Sequence, residues 1–124
     1  MSTEDRKRAA VNFLRLAREG NRAAAEQLTA PGARHHNPHF QAGMPALLDA
    51  ISAAAQSSPT RESDVKRVLA DGDYVVVHSH VRHGPGVPGA AVVHIFRFDG
   101  DRIAELWDVG QPVPADNPNT DGMF

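Results

Sequence analysis

The spacing of apolar residues changes midway along the chain. In the first half they recur at helical intervals: Ala10, Phe13, Leu14 and Ala17 share one face. That segment opens with Ser2, Thr3, Glu4 and Asp5, which suit an N-cap and the positive end of a helix dipole. Gly20 can close the helix in a left-handed conformation, and Asn21 can cap a short second helix running through Leu28. Thr29-Ala30-Pro31-Gly32 ends it. Pro45 fits the first turn of a third helix, whose stripe is Met44, Leu47, Leu48 and Ile51 and whose end is "QSSPT".

The second half reads as strands. "SDVKRVLADGDYVVVHSHVRH" is two strand-like runs around Asp71-Gly72-Asp73, a hairpin signal. "GPGVPG" makes the next turn, "AAVVHIFRF" a strand, "DGDR" a turn and "IAELWDV" a last strand. The tail "QPVPADNPNTDGMF" is too rich in Pro, Asn and Asp for regular structure. Three helices followed by an antiparallel meander predict an α+β fold, with the helices on one face of the sheet and residues 1–124 in a single domain.

Composition narrows the function more than the fold. The net charge is −2 and the charges of both signs are interleaved, leaving no basic stripe for a phosphate backbone, so no nucleic-acid partner is expected. There is no cysteine, which excludes disulfide frameworks and thiolate zinc sites. No segment has the ~20 apolar residues of a membrane helix, and "MSTEDRKRAAVNF" lacks the apolar core of a signal peptide. A cytoplasmic protein without a membrane partner is the expectation.

The distinctive chemistry is imidazole. Three of the seven histidines lie in "RHHNPH" (His35, His36, His39), two in "HSH" (His78, His80) and one in "VVHIFRF" (His94). Alternation puts Val76, His78 and His80 on one face of their strand, and His94 with Phe96 on one face of the next. If the connection Arg82–Ala90 closes symmetrically, His78 lies across from His94. A three-residue loop at Gly100-Asp101-Arg102 puts His94 across from Asp108, and a four-residue loop puts Trp107 there. In the agreeing arrangement one face carries His78, His80, His94 and Asp108 among Val76, Phe96 and Leu106, the make-up of a small-molecule pocket. His35 and His39 flank an expected kink at Pro38 and are expected in solvent. His83 is expected at the surface.

The segments "RHHNPHFQAGMPALLDAI", "VKRVLADGDYVVVHSHV", "HIFRFDGDRIAELWDVGQPVP" and the terminal "DGMF" resemble the SnoaL-like polyketide cyclase family, of the nuclear transport factor two-like superfamily. The resemblance implies a cone-shaped α+β barrel, a curved and mainly antiparallel sheet wrapped around N-terminal helices. It also implies metal-free, cofactor-independent aldol chemistry by a histidine and an aspartate on consecutive strands, which match His94 and Asp108. "HNP", at His36 and Asn37, matches a segment that lends a polar group to the cavity floor. Close relatives read roughly "QHNP", "DIFR" and "EHWDV", where this chain has His35, His94 and Leu106.

The expected function is therefore acid/base catalysis on a small hydrophobic carbonyl compound, by cyclisation, isomerisation or hydration. Asp108 would act as acid/base and His94 as its partner, with His36, Asn37, His78, Val76, Phe96 and Leu106 lining the pocket and no cofactor. A carboxylate desolvated by apolar walls is suited to that role. One rival is a metal site built from His36, His78, His80 and His94 with Asp108. Another is a non-catalytic ligand-binding or dimerisation module. The opposite face, assigned Val75, Val77, Ala91, Val93, Ile95, Ile103, Trp107 and Val109, is expected to pair two copies sheet to sheet.

Overall fold

The computed structural model describes residues 1–124. Three helices lead: α1 (Thr3–Arg18), α2 (Arg22–Gln27) and α3 (Met44–Ser57). Five strands follow or interleave: β1 (Thr29–His35), β2 (Glu62–Asp71), β3 (Tyr74–Arg82), β4 (Ala90–Asp99) and β5 (Arg102–Pro112). They form one sheet in the order β1-β5-β4-β3-β2, antiparallel except for β1 against β5. No helix is long and apolar enough to cross a membrane.

Local chemistry explains the helix ends. Ser2 caps α1 through a reciprocal capping box with Asp5, whose carboxylate accepts from the Ser2 amide at 3.2 Å while the Asp5 amide donates to the Ser2 hydroxyl at 3.1 Å. Arg6 then ties α1 to two β-turns at once. Its guanidinium donates to the Gly72 carbonyl (3.0 Å), the Gly100 carbonyl (2.9 Å) and the Asp73 carboxylate (3.0 Å). Gly72 takes φ +58° in the two-residue turn between Asp71 and Tyr74, where a side chain would be strained.

The core lies between the helices and one face of the sheet. Ala10, Phe13 and Ala17 of α1 and Leu47 and Leu48 of α3 bury against Val75, Val77, Phe96, Phe98, Ile103 and Leu106. Phe13 meets Phe96 edge to face at 5.9 Å, the favoured aromatic geometry.

The structure corrects three expectations. First, Thr29–His35 is a strand, paired parallel to β5 with Thr29 opposite Ile103 and His35 opposite Leu106. Pro31 and Gly32 argue against a central strand, but an edge strand with a register break between Thr29 and Arg34 accommodates them. Second, the β3–β4 connection is one residue shorter than a symmetric Arg82–Ala90 loop. Ala90 pairs with Val81, so His78 faces Val93 and His94 faces Val77. Gly89, at φ +75°, passes so close to Val81 that an added Cβ would lie 2.1 Å from its carbonyl oxygen. Third, β5 carries a bulge: Arg97 pairs with Glu105 but Phe98 with Ile103, which puts Ile103 on the same face as Leu106.

A one-residue shift moves a whole strand's side chains to the other face. Val75 and Val77 are therefore core residues, fully buried as Ile103 is, and none of the three belongs to the outer surface. Val76, His78 and His80 face outward instead, beside Ile95, Val93 and Ala91.

Candidate active site

A cavity of about 250 Å³ opens between α1, α3 and the inner face of the sheet. Most of its wall is apolar: Phe13, Leu14, Ile51, Val81, Val92 and Leu106 contribute. The polar groups are few: His94 from β4, Asp108 from β5, Asn37 from the loop after β1, Ser63 from β2, and two arginines, Arg18 and Arg61.

His94 and Asp108 are directly paired across β4 and β5, so both side chains leave the sheet on the cavity side. Neither ring nitrogen of His94 bonds to protein, and Nδ1 is fully enclosed with no partner. Burial pulls the His94 pKa down to about 4, the nearby Asp108 charge only partly offsetting it. The ring is thus neutral at neutral pH. The residue is only partly accessible and lines the cavity. His94 lies 6.2 Å, centroid to centroid, from Phe96, which sits beneath it in the core and does not line the cavity.

Asp108 is held by Asn37, whose Nδ2 donates to Asp108 Oδ2 at 2.8 Å. The amide orientation follows from the other end of the same group, since Asn37 Oδ1 accepts from the His39 backbone N–H at 2.9 Å. Oδ1 of Asp108 makes no hydrogen bond to protein. His35, expected in solvent, is 7% exposed and locks this loop. Its Nε2 donates to the Gln41 carbonyl at 2.6 Å, and its Nδ1 accepts from the Asn37 amide at 3.1 Å. The "HHN" stretch therefore works as a support for Asp108: His35 fixes Asn37, and Asn37 fixes the carboxylate.

The other predicted lining residues lie elsewhere. His36 turns to the outer face, where Nε2 bonds Glu105 Oε2 at 2.5 Å and the ring stacks on Trp107 at 5.1 Å. Arg97 and Arg34 also bond that carboxylate, and the His36 bond is the largest cause of the lowered Glu105 pKa. His78 accepts from Arg67 and, with His80, stacks under Phe124. His80 Nε2 bonds the Pro88 carbonyl at 2.7 Å. Val76 is outside too. The four histidines considered as metal ligands are thus divided between two faces of the sheet, and no group of three or more His, Asp or Glu side chains converges on a point where an ion could be held.

Arg18 and Arg61 were missed in the sequence. A signal exists for the first: Arg18 is four residues beyond Leu14, so the apolar stripe of α1 ends in a charge on the cavity side. Arg61 precedes β2 in a polar loop and carries no such mark.

The family described as SnoaL-like domain matches residues 10–106. No curated protein matches the chain by sequence. Among solved structures the chain is similar to AclR, a suggested hydroxylase from Streptomyces galilaeus, with TM-score 0.72 and 18% identity over 89% of this chain and 91% of that one. It is similar to a SnoaL-like protein of unknown function from Burkholderia thailandensis, with TM-score 0.73 and 13% identity over 89% and 97%. It is also similar to a suggested isomerase of the SnoaL-like family from Agrobacterium tumefaciens, with TM-score 0.69 and 16% identity over 86% and 97%. At such identities the likeness is one of fold, a curved sheet with helices on its inner side.

Proposed function

We propose that this chain, which belongs to the SnoaL-like domain family, is an acid/base enzyme working through its own side chains on a small, largely hydrophobic carbonyl compound. The reaction class is proton transfer at the carbon next to the carbonyl, leading to isomerisation or aldol closure. One observation carries the reading: a carboxylate braced by an amide and a neutral, partnerless imidazole are paired across β4 and β5 inside one apolar cavity.

The roles follow from protonation state. Asp108 Oδ1 takes the proton from the α-carbon, and the electron pair of that C–H bond becomes the enolate. His94 contributes a neutral N–H donor to the oxygen where negative charge develops. A donor kept neutral by burial is effective because it arrives without a competing charge or a water shell. Asp108 then returns the proton to carbon or oxygen, or the enolate attacks a second carbonyl and the proton goes to the new alkoxide. Asn37 keeps Asp108 in position through Oδ2 and leaves Oδ1 free.

The test is deuterium exchange. Small aryl methyl ketones incubated with the protein in D2O should lose their α-proton NMR signals. Asp108→Asn should still bind them and slow the exchange by about 10²–10⁴-fold, the usual cost of losing a positioned base. Exchange at the parent rate in Asp108→Asn would overturn the assignment. Ketones that bind without exchanging in the parent would make the cavity a binding site only.

A further inference from the structure

The chain has 13 lysines and arginines, and all but two have a side-chain hydrogen-bond or ion-pair partner. The exceptions are Arg18 and Arg61. Both line the cavity, one from the last turn of α1 and the other from the loop before β2. Arg61 is only partly exposed, and burial first, then the neighbouring Arg18 charge, lower its pKa. Two guanidinium groups in mutual repulsion, partly desolvated and without a counter-charge, add nothing to the fold. They are complementary to an anion that the protein does not itself supply.

We propose that Arg18 and Arg61 anchor a carboxylate of the substrate, so that the ligand is a small organic acid with its carbonyl at the other end. This deepens the acid/base reading and rests on it for the ligand's direction. The sheet sets the span. Val77 lies opposite His94 and Val81 opposite Ser63, both on the inner face, which separates the two levels by about 13 Å at ~3.3 Å per residue. Arg61 reaches back from just beyond Ser63, so one ring fits between carbonyl and carboxylate. The cavity, at about 250 Å³, admits such a compound and lies below the roughly 300–1,000 Å³ of pockets for drug-sized ligands. A carboxylate suits the site better than a phosphate dianion. The site adjoins the C-terminal, negative end of α1, not a helix N-terminus, which penalises a dianion more than a monoanion.

The probe is 3-(4-acetylphenyl)propanoate, which has a ketone, a ring and a carboxylate in line, compared with its neutral methyl ester. Titration of the full chain should show the acid binding roughly 10- to 100-fold tighter than the ester, the range of charge-assisted hydrogen bonds. Arg61→Gln and Arg18→Gln should each remove most of that preference and leave ester affinity unchanged, and Arg61→Lys should keep part of it. Without ligand, Arg61→Gln should melt no lower than the parent. Equal affinity for acid and ester, a preference that survives the double Gln variant, inorganic phosphate binding tighter than the acid, or a clear loss of stability in Arg61→Gln would overturn the proposal. Asp108→Asn should keep the preference, so failure of the acid/base reading and failure of the anion site give different results.

Discussion

The two faces of the sheet are built by the same strands in strict alternation, yet they differ in chemistry. On the inner face Val75, Val77, Phe96 and Ile103 are completely buried, and the few polar groups among them are desolvated and sparsely bonded. On the outer face the polar groups are densely bonded to one another: Glu105 holds His36, Arg34 and Arg97, and His78 holds Arg67. The outer face also leaves large apolar residues in solvent, with Leu69 56%, Tyr74 45% and Val109 65% exposed. An imidazole with all its bonds made is a structural group; one with none made is available to a ligand. Only His94 of the seven histidines has an enclosed ring nitrogen with no partner, and the difference between it and His78 is one step of register.

The comparison can be broken most severely at Phe96. Phe96→Ala should cost about 3–5 kcal/mol in urea unfolding, because Phe13 and the His94 ring both lose their support. Next in size is acid sensitivity. With a folded pKa of about 4 against an ordinary 6.5, His94 is neutral when folded and protonated when unfolded across that window. The unfolded state binds more protons there, so stability is full above pH 6.5 and falls as pH drops toward 4. The loss should be about 3 kcal/mol by pH 4. His94→Leu should flatten that part of the pH–stability curve, and an unchanged slope would mean that another group is responsible.

Asn37→Ala should come third. Removing a hydrogen bond to a charged group costs about 1.5–3 kcal/mol, felt here as roughly 10- to 100-fold slower exchange chemistry with ligand affinity nearly intact. The smallest effect on the fold is expected outside. Val109→Ser should change monomer stability by no more than about 0.5 kcal/mol. The same face, with Leu69, Tyr74, Val76, Ile95 and Trp107 around Val109, is proposed to pack against a second copy of the chain. Trp107→Glu should therefore give a monomeric mass in light scattering where the parent gives a dimer; a parent that is monomeric at micromolar concentration would refute the pairing.

Much of the fold was legible in the sequence because its signals are local. Ser2, Asn21 and Pro45 mark helix starts, and Asp71-Gly72-Asp73 marks a hairpin, each through chemistry within a few residues. The face that β3 turns inward was not legible. Val75-Val76-Val77 is apolar at both parities, so alternation cannot say which valines are inside. The β3–β4 register depends on an eight-residue connection between Val81 and Ala90, and the inward turn of Ile103 depends on a bulge. The pairing of His94 with Asp108 is what a three-residue loop predicts, and it occurs through a two-residue turn plus that bulge. His78 and Val76 differ from expectation by parity alone, whereas His36 was assigned by the resemblance of "HNP" and turns to Glu105 instead. Arg18 and Arg61 were missed because an unpaired charge becomes conspicuous only when every other charge has found its partner in three dimensions.

The bond from Asn37 to Asp108 joins residues 71 positions apart, and β1 pairs with β5 over a similar separation. Loops of that length close late and slowly, since their entropy must be spent before any contact repays it. The helices and the β2–β3–β4 meander can form from nearer contacts, but β5 follows all of them in the chain and β1 pairs with no other strand. The meeting of Asn37, His94 and Asp108 at the cavity would then come at the final step of folding. A chain stalled before β5 could have most of its secondary structure and none of its chemistry.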